Sequence, residues 1–408
     1  MVVKIRDIGK VVTGKTPVTT CKAFFGGDIL FVTPPDMKGG FVLRETERHL
    51  TKDGFNSILS NTIKGRSVLV SCIGEIGKVA MVEEACATNQ QINAITDINT
   101  AYDAWYVYYK LCTMKEHLVA SSGRTVVPIL SKRAFEEFEI PDIPSLTEQR
   151  SIGAILSTID RKIALNRKRI ATLEAMAKEI YDYWFVQFDF PDAHGRPYKS
   201  SGGAMVYNPD LKREIPKGWK VKPLGELIKT NASSYNERTL PSRIQYIDIA
   251  AVSNGVVSSK TEYGREHAPG RARRRAKRGD TIWSSVRPNL RAYALVLNPQ
   301  EDDVFSTGFT VLSPVDVPYG FLYLTVTAEA YVSYLVSRTG NSAYPAVLPS
   351  AFGEYEIAVP PRDLLDRFAD QVEGAFERRQ NCFDEIQSQT SLRDFLLPLL
   401  MNGQVKVL

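Results

Sequence analysis

Residues 147–188 read TEQRSIGAILSTIDRKIALNRKRIATLEAMAKEIYDYWFVQF, with no proline and one glycine. Alternating steps of four and three residues mark one stripe, which is apolar except for Asn166: Ile152, Leu156, Ile159, Ile163, Asn166, Ile170, Leu173, Ala177, Ile180 and Trp184. This spacing is the heptad pattern of a coiled coil. At about 1.5 Å per residue the helix would be about 60 Å long. It therefore predicts a long helix whose stripe is covered by a partner helix, with Asn166 fixing the register.

The second half of the chain repeats the first and supplies such a partner. Ala134-Phe135 and Glu139-Ile140 recur as Ala351-Phe352 and Glu356-Ile357, each 217 residues later, and the same offset relates residues 123–128 to residues 340–345. We therefore expect an internal duplication and a second long helix over about residues 363–397. Its stripe is weaker and consists of Phe368, Val372, Phe376, Phe383, Ile386, Leu392 and Leu396. Antiparallel packing of the two helices would place the globular halves at opposite ends of a shared rod.

The predicted fold class is α+β, with two similar mixed α/β domains joined by two long antiparallel coiled-coil helices. Short β-branched runs over residues 28–32, 66–71 and 77–82 predict strands in the first domain. The expected division is a domain at 1–145, a helix at 146–188, a Pro- and Gly-rich linker at 189–217, a second domain at 218–361, and a second helix with a tail at 362–408.

Composition places the chain among ordinary globular proteins. Of its 408 residues, 44% are hydrophobic and 24% charged, and the net charge is +5. The five cysteines include no Cys-x-x-Cys pair, which favours reduced thiols over a disulfide scaffold or a zinc module. The sequence shows neither a signal-peptide pattern nor an apolar run of about 18 residues. These features predict a soluble cytoplasmic protein with no membrane contact.

One motif suggests nucleotide chemistry. Residues 9–16 fit Gly-x-x-x-x-Gly-Lys-Thr, a loop that cradles phosphates when a helix begins at its lysine. Here Pro17 and a β-branched run follow at once, which favours a plain loop, although an ATPase stays open as an alternative. The four histidines show no metal-ligand spacing, and no other catalytic motif is present. We therefore predict neither a catalytic residue nor a metal site in this chain.

The strongest binding signal lies between Arg265 and Arg278, which hold six arginines and one lysine against the single acid Glu266. Arginine pairs bidentately with phosphate oxygens and guanine edges, so this stretch favours nucleic acid over the alternative of a solvated basic loop. Arg291 and its neighbours are as well explained by structural salt bridges. The candidate DNA-binding residues are Arg271, Arg273, Arg274, Arg275, Lys277, Arg278, Arg287 and Asn289 in the second half, and Lys15, Thr16, Lys38, Gln90, Gln91 and Arg124 in the first.

Residues 148–163, Asn166, 173–177 and 183–185 closely resemble the central region of type I restriction–modification specificity subunits. The segment at 215–219, where the second domain begins, and the tail at 392–398 resemble the same family. Residues 13–17 look like the loop of its first domain, which argues against nucleotide binding. The basic stretch 265–278 matches no family motif. The resemblance spans the chain, and the central helix is its most specific part.

The resemblance implies two target-recognition domains, each reading half of a split double-stranded DNA site, with the paired helices setting the spacing. Catalysis would belong to methyltransferase (modification) subunits and to ATP-driven restriction (translocase) subunits. S-adenosylmethionine, ATP and Mg would then be cofactors of those partners and not of this chain. The helices would dock the methyltransferase, and the candidate docking residues are Arg150, Arg161, Asn166, Trp184 and Phe185. A coiled-coil scaffold without DNA contact stays open as an alternative.

Overall fold

The structure is a computed structural model that describes residues 2–37, 41–123, 128–339 and 345–407. It divides into two compact units: unit 1 is Met1–Arg167 with Asp384–Leu408, and unit 2 is Lys168–Phe383. The predicted sequential division into domains, helices and linker remains a prediction, because these units each combine one globular half with parts of both long helices. No helix in the described ranges is long and apolar enough to span a membrane.

Unit 1 contains the first half of the fold. Its strands, β1 to β10, are Val3–Lys4, Lys10–Thr13, Phe25–Val32, Arg48–Leu50, Thr62–Ile63, Ser67–Ser71, Val79–Val82, Cys86–Thr88, Ile92–Thr96 and Glu139–Ile140. Its short helices, α1 to α5, are Ile5–Ile8, Lys52–Asn56, Ala104–Cys112, Lys115–Ala120 and Lys132–Glu136. The first long helix, α6, is Leu146–Tyr181 and continues as a π-helical turn at Asp182–Val186; its residues up to Arg167 belong to unit 1.

Two four-stranded sheets build this unit. One has the order β2-β9-β6-β7 with antiparallel pairs, and the other has the order β4-β3-β8-β5 with β3 and β8 parallel. All five residues of β6 are buried, as expected for a short apolar run that is covered on both faces. The strands predicted from β-branched runs are confirmed as β3, β6 and β7. Helix α3 contributes Trp105, Tyr106 and Tyr109 to the core of this unit.

Unit 2 contains the second half. Its strands, β11 to β24, are Met205–Asn208, Arg213–Pro216, Lys220–Pro223, Ile228–Thr230, Arg243–Ile247, Val252–Ser253, Val256–Val257, Thr261–Gly264, Ala272–Arg274, Thr281–Ser284, Tyr293–Leu295, Asp303–Ser306, Phe309–Pro314 and Glu356–Val359. Helices α7 and α8 are Tyr319–Thr327 and Glu329–Ser337. The second long helix, α9, is Arg362–Met401, and its residues up to Phe383 belong to unit 2.

The strand orders confirm the internal duplication. Order β14-β23-β20-β21 repeats β2-β9-β6-β7, and order β18-β15-β22-β19 repeats β4-β3-β8-β5, including the parallel pair at β15 and β22. The β13–β24 pair contains Glu356 and Ile357 and repeats the β1–β10 pair, which contains Glu139 and Ile140. The repeated segments at 123–128 and 340–345 lie mostly outside the described residues. The segment predicted as a linker is ordered and forms the β11–β12 hairpin.

In unit 1 the two long helices run antiparallel. Arg393 Nη1 donates to Asp160 Oδ1 at 2.8 Å, and further along α6 Asn166 Nδ2 donates to Glu385 Oε2 at 2.6 Å. Residue numbers thus rise along α6 while those of its partners on α9 fall, as they do between antiparallel helices. The predicted stripe is confirmed, since its unit 1 members are all buried: Ile152, Leu156, Ile159, Ile163 and Asn166.

Unit 2 shows the same antiparallel arrangement in its own helix segments. Arg379 Nε donates to Glu174 Oε1 at 2.5 Å, and the rings of Tyr181 and Phe368 are 6.3 Å apart. Along α6, Ile170 and Ala177 are buried, whereas Leu173 and Ile180 are half-buried. The fold class predicted from the heptad stripe and the duplication is therefore confirmed.

Two expectations for α9 are wrong. Leu392, predicted to lie in the stripe, is 44% exposed, because its neighbour Arg393 faces α6 instead. The helix also does not end before Pro398 but passes through it to Met401. Proline removes one backbone donor from a helix. The final turn holds nonetheless, because Leu400 and Met401 are buried in the core of unit 1.

Candidate nucleic-acid interface

In unit 1 the loop at residues 14–17 lies against the turn at 89–91 that joins β8 to β9. Thr16 Oγ1 donates to Gln90 Oε1 at 2.9 Å, and the side chains of Lys15 and Gln90 are exposed. Gly14 is buried, and a Cβ on it would collide with the residues of this turn. Only glycine therefore lets the loop approach so closely. Residues 14–21, all described, form no helix, so the geometry of a phosphate-binding loop is not formed there.

The connection between β6 and β7 extends the same surface. The N–H of Cys72 donates to the carbonyl of Gln91 at 2.7 Å, and the N–H of Gly74 donates to the carbonyl of Pro128 at 3.2 Å. Gln91 is half-buried and its side chain accepts a hydrogen bond from Asn89 at 2.9 Å. We call residues 14–17, 72–77 and 89–91 the unit 1 face. Two sequence candidates, Lys38 and Arg124, lie outside the described residues.

In unit 2 the arginine-rich strand β19 borders two loops. The N–H of Tyr235 donates to the carbonyl of Arg273 at 2.7 Å, so the loop at 231–235 lies along the strand. The N–H of Thr307, in the turn between β22 and β23, donates to the carbonyl of Arg271 at 2.7 Å. The N–H of Ser285, which starts the β20–β21 hairpin loop, donates to the carbonyl of Gly308 at 2.8 Å. We call residues 231–235, 271–277, 285–291 and 306–308 the unit 2 face.

The cations of this stretch differ in what they contact. Arg271, Arg275 and Lys277 are exposed. The Arg275 guanidinium lies over the ring of Tyr235, 4.7 Å from its centroid, which holds a planar cation at the surface through a cation–π contact. A planar guanidinium held in this way suits a phosphate or a guanine edge. These exposed side chains are the ones that can reach a ligand without breaking an internal contact seen in this unit.

Three other arginines support the protein itself. Arg273 lies 3.6 Å from Glu237, and Arg274 Nη1 donates to Ser234 Oγ at 3.1 Å. Burial lowers the pKa of the Arg274 guanidinium, and its Nε is buried without a hydrogen-bond partner. Arg278 donates to the carbonyl of Leu297 at 2.9 Å and pairs with Glu377 on α9. Its guanidinium thus ties the segment before β20 to α9, and the DNA-binding role of Arg278 stays a prediction that these contacts do not favour.

The β20–β21 hairpin loop is held in a strained shape. Arg287 and Arg291 have φ angles of +49° and +55°, and they flank the 3-10 turn Pro288–Leu290. Left-handed backbone at a non-glycine residue costs about 1–3 kcal/mol and clusters at functional sites. Arg287, Asn289 and Leu290 are exposed at the tip. Arg291 donates to Glu329 at 2.6 Å, which bears out the structural alternative for this arginine.

Known proteins match the first part of this chain and also its whole length. The family model described as the type I restriction modification DNA specificity domain matches residues 1–175. The type I restriction enzyme MjaIX specificity subunit of Methanocaldococcus jannaschii is 28% identical over 435 residues, covering 99% of this chain and 93% of that protein. Along nearly its whole length the chain is therefore similar to a type I restriction–modification specificity subunit, and its first 175 residues match the domain model of that family.

Further relatives match smaller parts or share the fold. The HindI specificity subunit of Haemophilus influenzae is 33% identical over 138 residues, which cover 33% of this chain and 30% of the relative. The crystal structure of the S subunit of a type I restriction-modification system from M. genitalium superposes with a TM-score of 0.67 at 17% identity, over 98% of this chain and 95% of that one. That likeness concerns the fold alone.

Within this chain, the candidates from the two halves occupy equivalent places. The loop at 14–17 follows β2 as the loop at 231–235 follows β14, and the turn at 89–91 precedes β9 as the turn at 306–308 precedes β23. The β6–β7 connection likewise corresponds to the β20–β21 hairpin loop. Residues picked separately in the two halves thus converge on one end of the repeated domain.

The candidate docking residues divide into two groups. Arg150 and Arg161 are exposed on α6, and the Arg161 guanidinium lies over the ring of Trp105 at 5.5 Å. Trp184 and Phe185, by contrast, are only 7% and 8% exposed and pack in the core of unit 2. Asn166 is 3% exposed and its amide is bonded to Glu385. The expectation that Asn166, Trp184 and Phe185 form a docking face is therefore corrected, since all three are interior residues.

Sequence reasoning missed part of the unit 2 face. The sequence candidates did not include Tyr235, whose ring contacts the Arg275 guanidinium, or the exposed Leu290. They also did not include the polar loop before Tyr235. The duplication could have found this loop, because the offset of 217 residues maps Gly14 onto Asn231 and Gln91 onto Gly308. Within the described ranges, no group of three or more His, Cys, Asp or Glu residues could hold a metal ion.

Proposed function

We propose that this chain is the DNA-reading, non-catalytic subunit of a type I restriction–modification complex, and that each of its units reads one half of a split double-stranded site. The observation that carries the proposal is the convergence of polar and basic side chains on equivalent loops of both units. A scaffold has no need for the same loops to be polar in two copies of a domain. The family of the chain supports the same conclusion.

The two faces suit different contacts with DNA. On the unit 2 face, the exposed Arg271, Arg275 and Lys277 are placed to meet phosphates, which fix position and provide salt-dependent affinity. Asn289 and Arg287, on the rigid hairpin loop, suit adenine and guanine edges in the major groove. On the unit 1 face, Gln90 carries the amide chemistry that reads adenine, with Lys15 and Thr16 beside it.

Other subunits would supply catalysis. We propose that methyltransferase subunits, which use S-adenosylmethionine, dock on the exposed face of α6 in unit 1, where Arg150 and Arg161 flank the exposed apolar Ile155 and Leu165. An apolar strip between cations is typical of a protein interface. Restriction subunits that use ATP and Mg would complete the complex, which would act in the cytoplasm on cellular DNA.

The test of DNA reading is co-expression of the full chain with its cognate methyltransferase, followed by mapping of methylated sites in genomic DNA. The expected pattern is a bipartite site with a fixed spacer. Gln90→Ala should relax one half of the site and Asn289→Ala the other. A contiguous site, or two variants that relax the same half, would overturn the assignment of one half-site to each unit.

The docking proposal has its own test. A double variant, Arg150→Glu with Arg161→Glu, should lose co-purification with the methyltransferase while it still binds DNA. Lys52→Glu is the control. It reverses the charge of one exposed residue on α2, away from α6, and this variant should co-purify normally. Retention of the methyltransferase by the double variant would place the dock elsewhere.

A further inference from the structure

The helix α9 carries a charged residue deep in the interior of unit 2. Arg379 is only 1% exposed and stands seven residues after the buried Val372, at a heptad position where an apolar side chain is expected. A buried guanidinium is unfavourable unless it is paired and hydrogen-bonded, and a well-packed apolar residue often stabilises a core more. Its presence therefore points to a role beyond helix packing.

Arg379 joins three parts of unit 2. Its Nε donates to Glu174 Oε1 on α6 at 2.5 Å, and its Nη2 donates to the carbonyl of Gly255 at 2.8 Å. Gly255 and Asn254 form the turn between β16 and β17, with φ angles of +85° and +44°. This is the Asn-Gly pattern of a two-residue hairpin turn. A Cβ at Gly255 would lie 2.5 Å from Arg379 Nη2, so glycine also makes room for the guanidinium.

The same turn touches the loop proposed to read DNA. The N–H of Asn254 donates to the carbonyl of Arg291 at 2.9 Å, and the N–H of Gly255 donates to the carbonyl of Tyr293 at 2.8 Å. Arg291 is the last residue of the strained hairpin loop 285–291. A continuous path of hydrogen bonds thus leads from Glu174 through Arg379 and the β16–β17 turn to this loop.

We propose that Arg379 is a positioning residue for DNA reading, which fixes the hairpin loop 285–291 against the helix pair of unit 2. This proposal rests on the proposed function of the unit 2 face. Side chains that read base edges must be held within a fraction of an ångström. Loss of the contact from Arg379 to Gly255 frees one side of the turn that holds Arg291, so Arg287 and Asn289 would no longer stand at a fixed distance from the bases.

The experiment uses the full chain co-expressed with its methyltransferase, as wild type and as Arg379→Met, Arg379→Lys and Arg393→Met. Arg393 is the matched control, because it also stands at a heptad position of α9 and pairs with an acid on α6, Asp160. For each half-site, methylation of the consensus is compared with methylation of sites that differ by one base pair. Thermal unfolding of each purified variant is recorded beside it.

Arg379→Met should lower discrimination about tenfold in the half-site that Asn289→Ala relaxes, and leave the other half unchanged. Arg379→Lys, which keeps a donor and a positive charge, should retain part of this discrimination. Arg393→Met should leave the discrimination in both half-sites as in the wild type. A lower unfolding temperature with discrimination intact, or an equal loss in both halves, would overturn the proposal. Absence of site-specific methylation by the wild type would instead refute the proposed function.

A second measurement covers the case in which Arg379→Met does not accumulate. Backbone hydrogen exchange of residues 285–291 should be faster in Arg379→Lys than in the wild type, whereas Arg393→Met should leave it unchanged. Equal exchange in Arg379→Lys and the wild type would also overturn the proposal, because the loop would then be positioned without this contact.

Discussion

Replacement of Arg271 and Arg275 by alanine should weaken DNA binding mainly at low salt. Both side chains are exposed on the unit 2 face, and we expect each to neutralise one phosphate. Each phosphate contact on duplex DNA contributes about 0.9 to the slope of log K against log salt, so the slope should fall by about 1.8. Between 50 and 200 mM salt, the affinity gap between wild type and variant should narrow by about 12-fold, since that range spans about 0.6 log units.

The assay is a fluorescence-anisotropy titration of a labelled duplex at four or more salt concentrations. Arg278→Ala is the control, because it removes from the same stretch one arginine whose guanidinium is bonded to Leu297 and Glu377. The control should keep the wild-type slope. An unchanged slope in the double variant, or an equal change in the control, would refute the assignment of phosphate contacts from exposure.

Three further predictions concern the buried residues Lys110, Trp184 and Cys86. Lys110→Met should destabilise the protein by about 1–3 kcal/mol in urea unfolding, since the buried amine donates to the last turn of α9 at 2.9 Å and its loss leaves a buried carbonyl unpaired. Trp184→Ala should lower the free energy of unfolding by about 3–5 kcal/mol, whereas Tyr183→Ala, at an exposed neighbour, should change it by less than about 1 kcal/mol. In native protein at pH 8, iodoacetamide should label the half-exposed Cys21 before Cys86. Burial raises the pKa of the Cys86 thiol to about 12 and so suppresses its reactive thiolate. Peptide mapping that finds Cys86 labelled first would contradict this.

The sequence was sufficient for the parts of the fold that follow from periodicity. The stripe on α6 could be identified because its positions recur every 3.5 residues and each buried member of the stripe is apolar or, at Asn166, bonded within the helix pair. The duplication could be identified because two copies of one domain need similar residues at the same turns. The α9 stripe was harder, since Arg379 and Arg393 occupy positions that face α6 and an apolar pattern does not include them.

The candidate site was predictable in location and not in detail. Density of arginine marked the stretch that became β19, but exposure depends on partners far along the chain. Arg278 is paired with Glu377, 99 residues away, and Arg274 is bonded to Ser234, 40 residues before it. Trp184 was assigned to docking because it closes the stripe, yet its ring lies 5.7 Å from that of Phe368 in the core. Such contacts between distant residues cannot be predicted from the local sequence.

The polar residues within the helix seam follow one physical rule in both units. Seven-residue steps along α9 give Val372, Arg379, Ile386, Arg393 and Leu400. An apolar seam alone tolerates a slip of one heptad, since each side chain then meets another of similar size. A slip would leave the two arginines away from their acids on α6, and an uncompensated buried charge costs about 3–5 kcal/mol. Arg393 with Asp160 opposes such a slip in unit 1, and Arg379 with Glu174 opposes it in unit 2. Each unit thus has an ion pair that opposes a slip of its helix segments, and in unit 2 the same arginine also donates to the β16–β17 turn that contacts the hairpin loop.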